Sequence, residues 1–114
     1  MKTIIAGSRT ATLEDTLRAV MNCPFLDDIT EVVSGCAKGA DTYGEMIAEE
    51  ASTPVKKFPA DWNTHGRKAG HLRNQQMAEY GDALIAVWDG KSTGTKDMIN
   101  RAKRLGLQVF IHQF

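Results

Sequence analysis

Five short apolar runs, each with several β-branched or aliphatic residues, are separated by amphipathic stretches along the chain. The runs occupy residues 2–6, 29–33, 55–58, 82–87 and 107–111. Runs of this length and composition are typical of buried strands. The third run also carries Lys56 and Lys57, and lysine protects the edge of a sheet from pairing with other molecules. We therefore predict five strands, with the third and the fifth at the two edges.

The stretches between the runs have the periodicity of amphipathic helices. Leu13, Leu17 and Val20 are predicted to form the buried face of the first helix, with Thr12 and Asp15 as its capping box. The second helix is predicted to end near residue 50, and the third to follow a long irregular segment, residues 59–70. Gly81 and Gly106 are predicted to end the last two helices. Their apolar faces are assigned to Leu72, Met77, Tyr80, Met98, Ile99, Ala102 and Leu105.

A strand followed by a helix recurs about every 25 residues, which requires right-handed βαβ crossovers and a parallel sheet covered on both faces. The expected strand order is 3-2-1-4-5, with the switch point between strands one and four. We predict a single α/β domain, residues 1–114, with a Rossmann-like three-layer fold. Ligands of such sheets bind beyond the carboxyl ends of the strands, where all the glycine-bearing loops of this chain lie.

Composition narrows the function classes. Lysine plus arginine (14) balance aspartate plus glutamate (14), and because proteins that hold duplex DNA are normally basic, duplex DNA is not expected as a partner. The apolar runs are too short for a transmembrane helix or a signal peptide. We expect a cytoplasmic protein with no membrane partner, no cofactor and no metal site. Cys23 and Cys36 are expected to be free thiols, and the edge strands leave homo-oligomerisation open.

Three strand-to-helix turns carry residues that suit an anion. Ser34-Gly-Cys-Ala-Lys-Gly-Ala-Asp41 follows the second strand, where glycine allows a ligand close to the backbone and the helix N-terminus adds positive potential. The GxGxxG dinucleotide fingerprint and the P-loop motif are both absent. We predict that phosphate is held by Arg9, Gly35, Lys38, Gly39, Gly94 and Thr95, and that Gly7, Ser8 and Ser34 also belong to the ligand site. Asp41 is either an acceptor for a ribose hydroxyl or a first-turn acid that complements the helix dipole.

The segment 59–70 and the helix after it add further candidates for the site. These are Asp61, Trp62, Arg67, Arg73 and Asn74. Trp62 and Trp88 each follow a strand end, where an indole either stacks on a base or covers the core. Arg73 either reaches a phosphate or pairs with Glu79 or Asp82. His65 and His71 are candidate acid–base groups, and Cys36 is a candidate nucleophile at a helix N-terminus.

Five ordered motifs carry a family resemblance across nearly the whole chain. They are Gly7-Ser-Arg, Ser34-Gly-x-Ala-Lys-Gly-Ala-Asp41, Pro59-Ala-Asp-Trp62, Gly66-Arg-x-Ala-Gly70-x-x-Arg-Asn74 and Trp88-Asp-Gly-Lys-Ser-x-Gly-Thr-x-x-Met-Ile99. Together they resemble the YspA/cpYpsA-related branch of the SLOG superfamily, small Rossmann-like domains of bacteria, phages and mobile elements. The superfamily also includes the LOG phosphoribohydrolases and DprA. The resemblance implies a pocket for a nucleotide or nucleotide-derived ligand, often in a sensing role.

Two departures from the family pattern bear on activity. Cys36 stands where a second glycine is expected after Gly35. Aligning Gly94-Thr95 with the LOG motif Pro-Gly-Gly-x-Gly-Thr-x-x-Glu places Met98 at the catalytic acid. Since a thioether neither activates water nor stabilises an oxocarbenium-like centre by charge, LOG activity is not expected.

Three hypotheses about function follow. The first is a domain that binds or senses a phosphorylated nucleoside-type ligand. The second is a hydrolase acting on the N-glycosidic or phosphoester bond of a nucleotide, with Asp61 or Asp89 as the catalytic base. The third is a DprA-like contact with single-stranded DNA through stacked tryptophans and a basic groove. Met98 weighs against the second hypothesis, and the zero net charge weighs against the third.

Overall fold

The computed structural model describes residues Met1–Phe114 and has one five-stranded sheet. The strands are β1 (Lys2–Gly7), β2 (Glu31–Ser34), β3 (Val55–Lys57), β4 (Ala83–Trp88) and β5 (Gln108–Gln113). They lie in the order β3-β2-β1-β4-β5, and every neighbouring pair is parallel. The predicted fold class, an α/β Rossmann-like sheet with the first strand central, is confirmed.

The five helices are α1 (Leu13–Asn22), α2 (Ala40–Glu50), α3 (Trp62–His65), α4 (Ala69–Tyr80) and α5 (Thr93–Arg104). Four of the five helices cover the two faces of the sheet, and the short α3 lies on the surface beside α4. One apolar core joins Ile5 of β1 to α1 and α2, and a second joins Ile4 of β1 to α4 and α5. Because successive strand residues point to opposite faces, β1 contributes to both cores. No helix is long and apolar enough to cross a membrane.

The strand boundaries differ by one or two residues from those predicted. Ile29 does not begin β2, because its amide completes a 3₁₀ turn by donating to the carbonyl oxygen of Leu26. Strand β5 continues to Gln113, two residues beyond the predicted end. Periodicity alone does not locate such ends, since apolar residues also occupy the adjoining turns.

The capping box of α1 forms as predicted, but the predicted buried face is correct only at Val20. The amide of Asp15 donates to Thr12 Oγ1 and the amide of Thr12 donates to Asp15 Oδ2, each at 3.0 Å. Leu13 and Leu17 are 37% and 40% exposed, and Thr16 and Ala19 are buried beside Val20 in their place. Small side chains there let α1 approach the strands closely. Leu72 on α4 and Leu105 after α5 are likewise exposed, at 43% and 46%.

The segment 59–70 was predicted to be irregular and is partly helical. Asp61 caps the short helix α3 by accepting a hydrogen bond from the amide of Thr64 at 3.1 Å. A 3₁₀ turn, Gly66–Lys68, then leads into α4, so Arg73 lies in the second turn of that helix and does not open it. All residues of 61–68 are exposed.

The two glycines predicted to end helices do so in different ways. Gly106 has a φ of 79°, the left-handed conformation expected after a helix. Gly81 ends α4 with a φ of −83° and is not a left-handed cap. A Cβ atom at Gly81 would lie 3.1 Å from Cγ1 of Ile4. Glycine at this position therefore allows α4 to end close against β1.

Candidate functional site

A cavity of about 750 Å³ opens at the carboxyl ends of the strands. Its walls come from the loop after β1, the turn between β2 and α2, the start of the 59–70 segment, helix α4 and the turn between β4 and α5. Since β1 lies between β2 and β4, the cavity sits at the switch point of the sheet.

Most of the residues predicted to bind a ligand line this cavity. They are Gly7, Ser8, Arg9, Gly35, Lys38, Asp41, Trp62, Arg67, Arg73, Asn74, Gly94 and Thr95. Four others do not: Ser34, Gly39, Asp61 and Trp88. The lining also includes residues that the sequence analysis did not assign to the ligand, namely Thr10, Ala37, Pro59, Ala60, Gly70, His71, Ser92 and Met98.

Ser34 and Gly39 shape the turn between β2 and α2. The Ser34 hydroxyl is buried, donates to the Glu45 carboxylate and accepts the amide of Cys36 at 3.1 Å. Gly39 has a φ of 81° and precedes the first residue of α2. Cys36, the departure from the family pattern, adopts a φ of 63°, which is uncommon for a residue with a side chain.

The two helix N-termini at the cavity differ in their caps. At α5, Ser92 Oγ accepts from the amide and the hydroxyl of Thr95, at 3.5 and 3.2 Å. At α2, Gly39 has no side chain with which to cap the first amides. The first turn of α2 therefore keeps donors for another acceptor. The serine three residues before Thr95 is a capping signal that was visible in the sequence.

Arg73 pairs with neither of the acids considered from the sequence. Its Nη1 donates to the carbonyl oxygen of Gly35, and its Nε donates to Asn74 Oδ1 at 3.1 Å. Asp82 instead accepts the amide of Lys2 at 2.9 Å. The guanidinium of Arg73 therefore ties helix α4 to the turn between β2 and α2.

Asn74 extends this connection to α5. It is buried, and its Nδ2 donates to Asp97 Oδ2 at 2.9 Å and to the carbonyl oxygen of Gly94 at 3.4 Å. The Nε of Arg101 also donates to Asp97 Oδ2, at 2.9 Å. Burial opposes ionisation of Asp97, but the hydrogen bonds from Arg101 and Asn74 outweigh it and lower the pKa of that carboxyl. Asp97 is thus held ionised between the two helices.

Asp41 is the most buried acid at the cavity, with 4% of its surface exposed. Burial raises its pKa from 3.8 to about 6, although Arg73 and the backbone amides of Ala37, Gly7 and Gly35 favour the ionised form. A Cβ atom at Gly35 would lie 2.7 Å from Asp41 Oδ2 and 2.8 Å from Arg73 Nη1. Glycine at position 35 is therefore what allows the carboxylate and the guanidinium to come so near the backbone.

The two candidate catalytic bases have structural partners. Asp89 Oδ1 accepts the amides of Lys91 and Ser92 at 2.8 and 2.7 Å, and hydrogen bonds from those amides lower the pKa of Asp89. Hydrogen bonding to Thr64 lowers the pKa of Asp61. Asp89 lines the cavity, whereas Asp61 lies outside it. A lowered pKa makes each carboxylate a weaker proton acceptor.

The two tryptophans have different surroundings. The indole Nε1 of Trp88 donates to the carbonyl oxygen of Ser92 at 3.1 Å, and the ring packs against the core beneath α4 and α5. Trp62 is 54% exposed on the rim of the cavity. Trp62 is therefore the tryptophan with a free surface for a ligand.

The remaining candidates are less well placed for chemistry. His71 lines the cavity with its Nδ1 3.8 Å from Asp97 Oδ1, whereas His65 lies outside the cavity. Cys36 is exposed as a residue, but its thiol is partly desolvated. This desolvation and the nearby Glu45 carboxylate both raise the pKa of Cys36. A raised pKa disfavours the thiolate that a nucleophile requires.

Comparison with known proteins places the chain in a phage family. No family model matches it. The Gene 61 protein of Mycobacterium phage D29 is 37% identical to it over 84 residues, a match that covers 68% of this chain and 67% of the phage protein. The chain belongs to the Gene 61 protein family.

The fold of this Gene 61 family member also occurs in a solved bacterial structure. The X-ray structure of DNA processing protein A (DprA) from Streptococcus pneumoniae matches it with a TM-score of 0.77 at 19% identity. The match covers 96% of this chain and 49% of DprA, so the chain spans about half the length of that protein. The likeness shows that the Gene 61 family member shares the Rossmann-like fold of that part of DprA.

Proposed function

We propose that residues 1–114 form a domain that binds or senses a nucleotide or nucleotide-derived phosphorylated ligand, as in the YspA/cpYpsA-related branch of the SLOG superfamily. The observation that carries the proposal is the charge of the cavity lining. Four permanent cations, Arg9, Lys38, Arg67 and Arg73, line it together with only two carboxylates, Asp41 and Asp89. A concave site of this kind at the switch point of a parallel sheet suits a small anionic ligand.

The phosphate is proposed to lie between the loop after β1 and the uncapped N-terminus of α2. Arg9 and Lys38 flank these loops, and the first turn of α2 has no side-chain cap. Amides and the helix dipole favour an anion at such a terminus. Arginine adds a planar fork that pairs with two phosphate oxygens at once.

The base is proposed to lie against Trp62. Pro59 and Ala60, which are also apolar, line the cavity together with Trp62. An exposed indole gives a flat surface on which a base stacks. Trp88 is left out of this proposal because its indole packs in the core and its N–H is bonded.

Zero net charge does not argue against an anionic ligand, because the cavity lining has its own charge balance. The four cations named above outnumber the two carboxylates there. The potential at the cavity is therefore more positive than the sum of charges suggests, and such a field attracts anions.

Calorimetric titration with a panel of 5′-nucleoside monophosphates, adenosine and inorganic pyrophosphate tests the proposal. We expect at least one nucleoside monophosphate to bind, and adenosine to bind more weakly because it lacks the phosphate. Nucleotide integrity after each titration is checked by chromatography, which separates binding from turnover. Absence of binding by every phosphorylated nucleoside at millimolar concentration would contradict the proposal.

A contact with single-stranded DNA is the second candidate, and it is favoured by the exposure of Trp62 close to Arg67 and Lys68. Aromatic stacking beside basic side chains is how such strands are held. An oligo(dT) titration at several salt concentrations distinguishes the two. Tight, strongly salt-dependent binding that Trp62→Ala abolishes would favour DNA, whereas the nucleotide proposal expects only weak binding.

A further inference from the structure

Asp41 differs from the other acids at or near the cavity in how deeply it is buried. Asp61 and Asp89 accept backbone amides at turns, and Asp97 accepts Asn74 and Arg101. No side chain donates a hydrogen bond to the Asp41 carboxylate, which lines the cavity and is 4% exposed. Its protein donors are the backbone amides of Ala37, Gly7 and Gly35. Since an ionised carboxylate has about four acceptor sites, a ligand in the cavity can add donors to those of the backbone.

The position of Asp41 indicates which part of a ligand would supply the donor. The carboxylate lies by the backbone of Gly7, Gly35 and Ala37, in the loops to which the phosphate is assigned. A phosphate cannot itself contact the ionised carboxylate, because both are acceptors with negative charge. In a nucleotide the sugar is the group next to the phosphate, and its hydroxyls are hydrogen-bond donors.

We propose that Asp41 accepts hydrogen bonds from the sugar hydroxyls of the ligand, which makes the cavity selective for ribonucleotides over deoxyribonucleotides. This inference rests on the proposed nucleotide-binding function. A vicinal diol offers two O–H donors to the two oxygens of one carboxylate. A deoxyribose removes one of these charge-assisted hydrogen bonds in a buried position, and the loss of such a bond weakens binding.

The competing explanation is that Asp41 only holds the loops together through backbone amides. The two explanations differ in what removal of the charge does. A carboxylate that only holds the loops stabilises the fold, and its loss leaves any preference between sugars unchanged. If the carboxylate binds the ligand, its removal abolishes the preference between sugars. Neutralising it then also raises the stability of the unliganded fold.

The test compares four ligands on the wild-type chain and on Asp41→Asn. The ligands are AMP, 2′-deoxy-AMP, ribose 5-phosphate and 2-deoxyribose 5-phosphate, titrated by calorimetry at pH 7.5. We expect the wild-type chain to bind each ribose compound about 10- to 100-fold more tightly than its deoxy counterpart, the range of a charge-assisted hydrogen bond. The preference should fall to about twofold or less in Asp41→Asn, in line with the loss of that bond. Glu50→Gln, which removes one charge from the exposed far end of α2, should keep it.

The wild-type comparison stands even where Asp41→Asn fails to fold. Equal affinity for the ribose and deoxyribose members of both pairs overturns the inference and leaves nucleotide binding intact. A preference that persists in folded Asp41→Asn also overturns it, since another group would then read the sugar. If none of the four ligands binds, the inference falls together with its nucleotide premise, an outcome distinct from binding without preference.

Discussion

A Cβ atom on Gly39 would lie 2.4 Å from the carbonyl oxygen of Ser8. At this contact the turn between β2 and α2 meets the loop after β1. Gly39 also has a φ of 81°, which favours glycine. Two of the three loops around the cavity can therefore approach each other this closely only because residue 39 has no side chain.

Gly39→Ala is expected to destabilise the fold, because the methyl group meets backbone atoms and the φ is unfavourable for alanine. We expect the free energy of unfolding to fall by about 1–3 kcal/mol, measured by urea denaturation. Gly94→Ala is the matched control, since a Cβ there meets nothing within 4 Å and lies in the first turn of a helix. An equal loss of stability in both variants would contradict the role assigned to the Gly39 contact.

Arg9→Ala is expected to weaken binding of a validated nucleotide without affecting the fold. Arg9 is exposed and lines the cavity. Loss of a charge-assisted contact with phosphate should reduce the binding free energy by about 1.5–3 kcal/mol. Calorimetry measures the affinity, and thermal melting checks the fold. Unchanged affinity would remove Arg9 from the proposed phosphate site.

Asp41→Asn is expected to raise stability at neutral pH. The folded pKa of about 6 lies above the 3.8 of the unfolded chain, so the folded state binds the proton more tightly. The stabilisation from this proton is complete below pH 4 and is lost as the pH rises through 6. Above that pH the ionised carboxylate lowers the free energy of unfolding by up to about 3 kcal/mol. The uncharged amide of asparagine does not have this effect.

The measurement is urea denaturation of both proteins between pH 4 and pH 7.5. The wild-type chain should lose stability relative to Asp41→Asn as the pH rises through this window. A variant that is less stable than the wild type at pH 7.5 would instead assign Asp41 to holding the loops.

Asp97→Ala is expected to loosen the contact between α4 and α5. The buried amide of Asn74 loses its 2.9 Å acceptor, and Arg101 loses its ion pair. We expect a loss of about 1–3 kcal/mol in the free energy of unfolding, because a buried donor is left poorly satisfied. Asn100→Ala, at an exposed position on the same helix, should change it by less than about 0.5 kcal/mol. Similar losses of unfolding free energy in both variants would show that the Asn74–Asp97 contact does not stabilise the fold.

The sheet and the location of the cavity followed from the sequence because each rests on local signals. Residues 83–87 of β4 form a continuous aliphatic run and are all fully buried, as expected for a central parallel strand. Glycines after the strands marked the turns, and parallel topology brings those turns to one end of the sheet.

Pairings between distant residues did not follow. Arg73 and Gly35 are 38 positions apart, and nothing in the sequence distinguishes a backbone carbonyl from an acid as the partner of an arginine. The buried face of α1 was missed for another reason. Leu13 and Leu17 satisfy helical periodicity with Val20 as well as Thr16 and Ala19 do, and only the packing of α1 against the rest of the fold favours the smaller residues.

The chain is expected to bind AMP without releasing adenine at a rate like that of a LOG enzyme. Cleavage of the N-glycosidic bond builds positive charge on the sugar, and a nearby carboxylate must stabilise that charge or activate water. Met98, which aligns with the LOG acid, lines the cavity with a buried thioether. Asp97 does not replace it, because its carboxylate is turned towards Asn74 and Arg101.

Chromatography of AMP after long incubation with stoichiometric protein measures adenine release directly, with AMP alone as the blank. Loss of one catalytic carboxylate commonly lowers a rate by about 10²- to 10⁴-fold, so we expect no more than a trace above the blank. Asp61 and Asp89 are the acids to substitute if adenine does appear. Adenine released over many turnovers, and lost in Asp61→Asn or Asp89→Asn, would show a hydrolase, because a contaminating enzyme would not respond to either change.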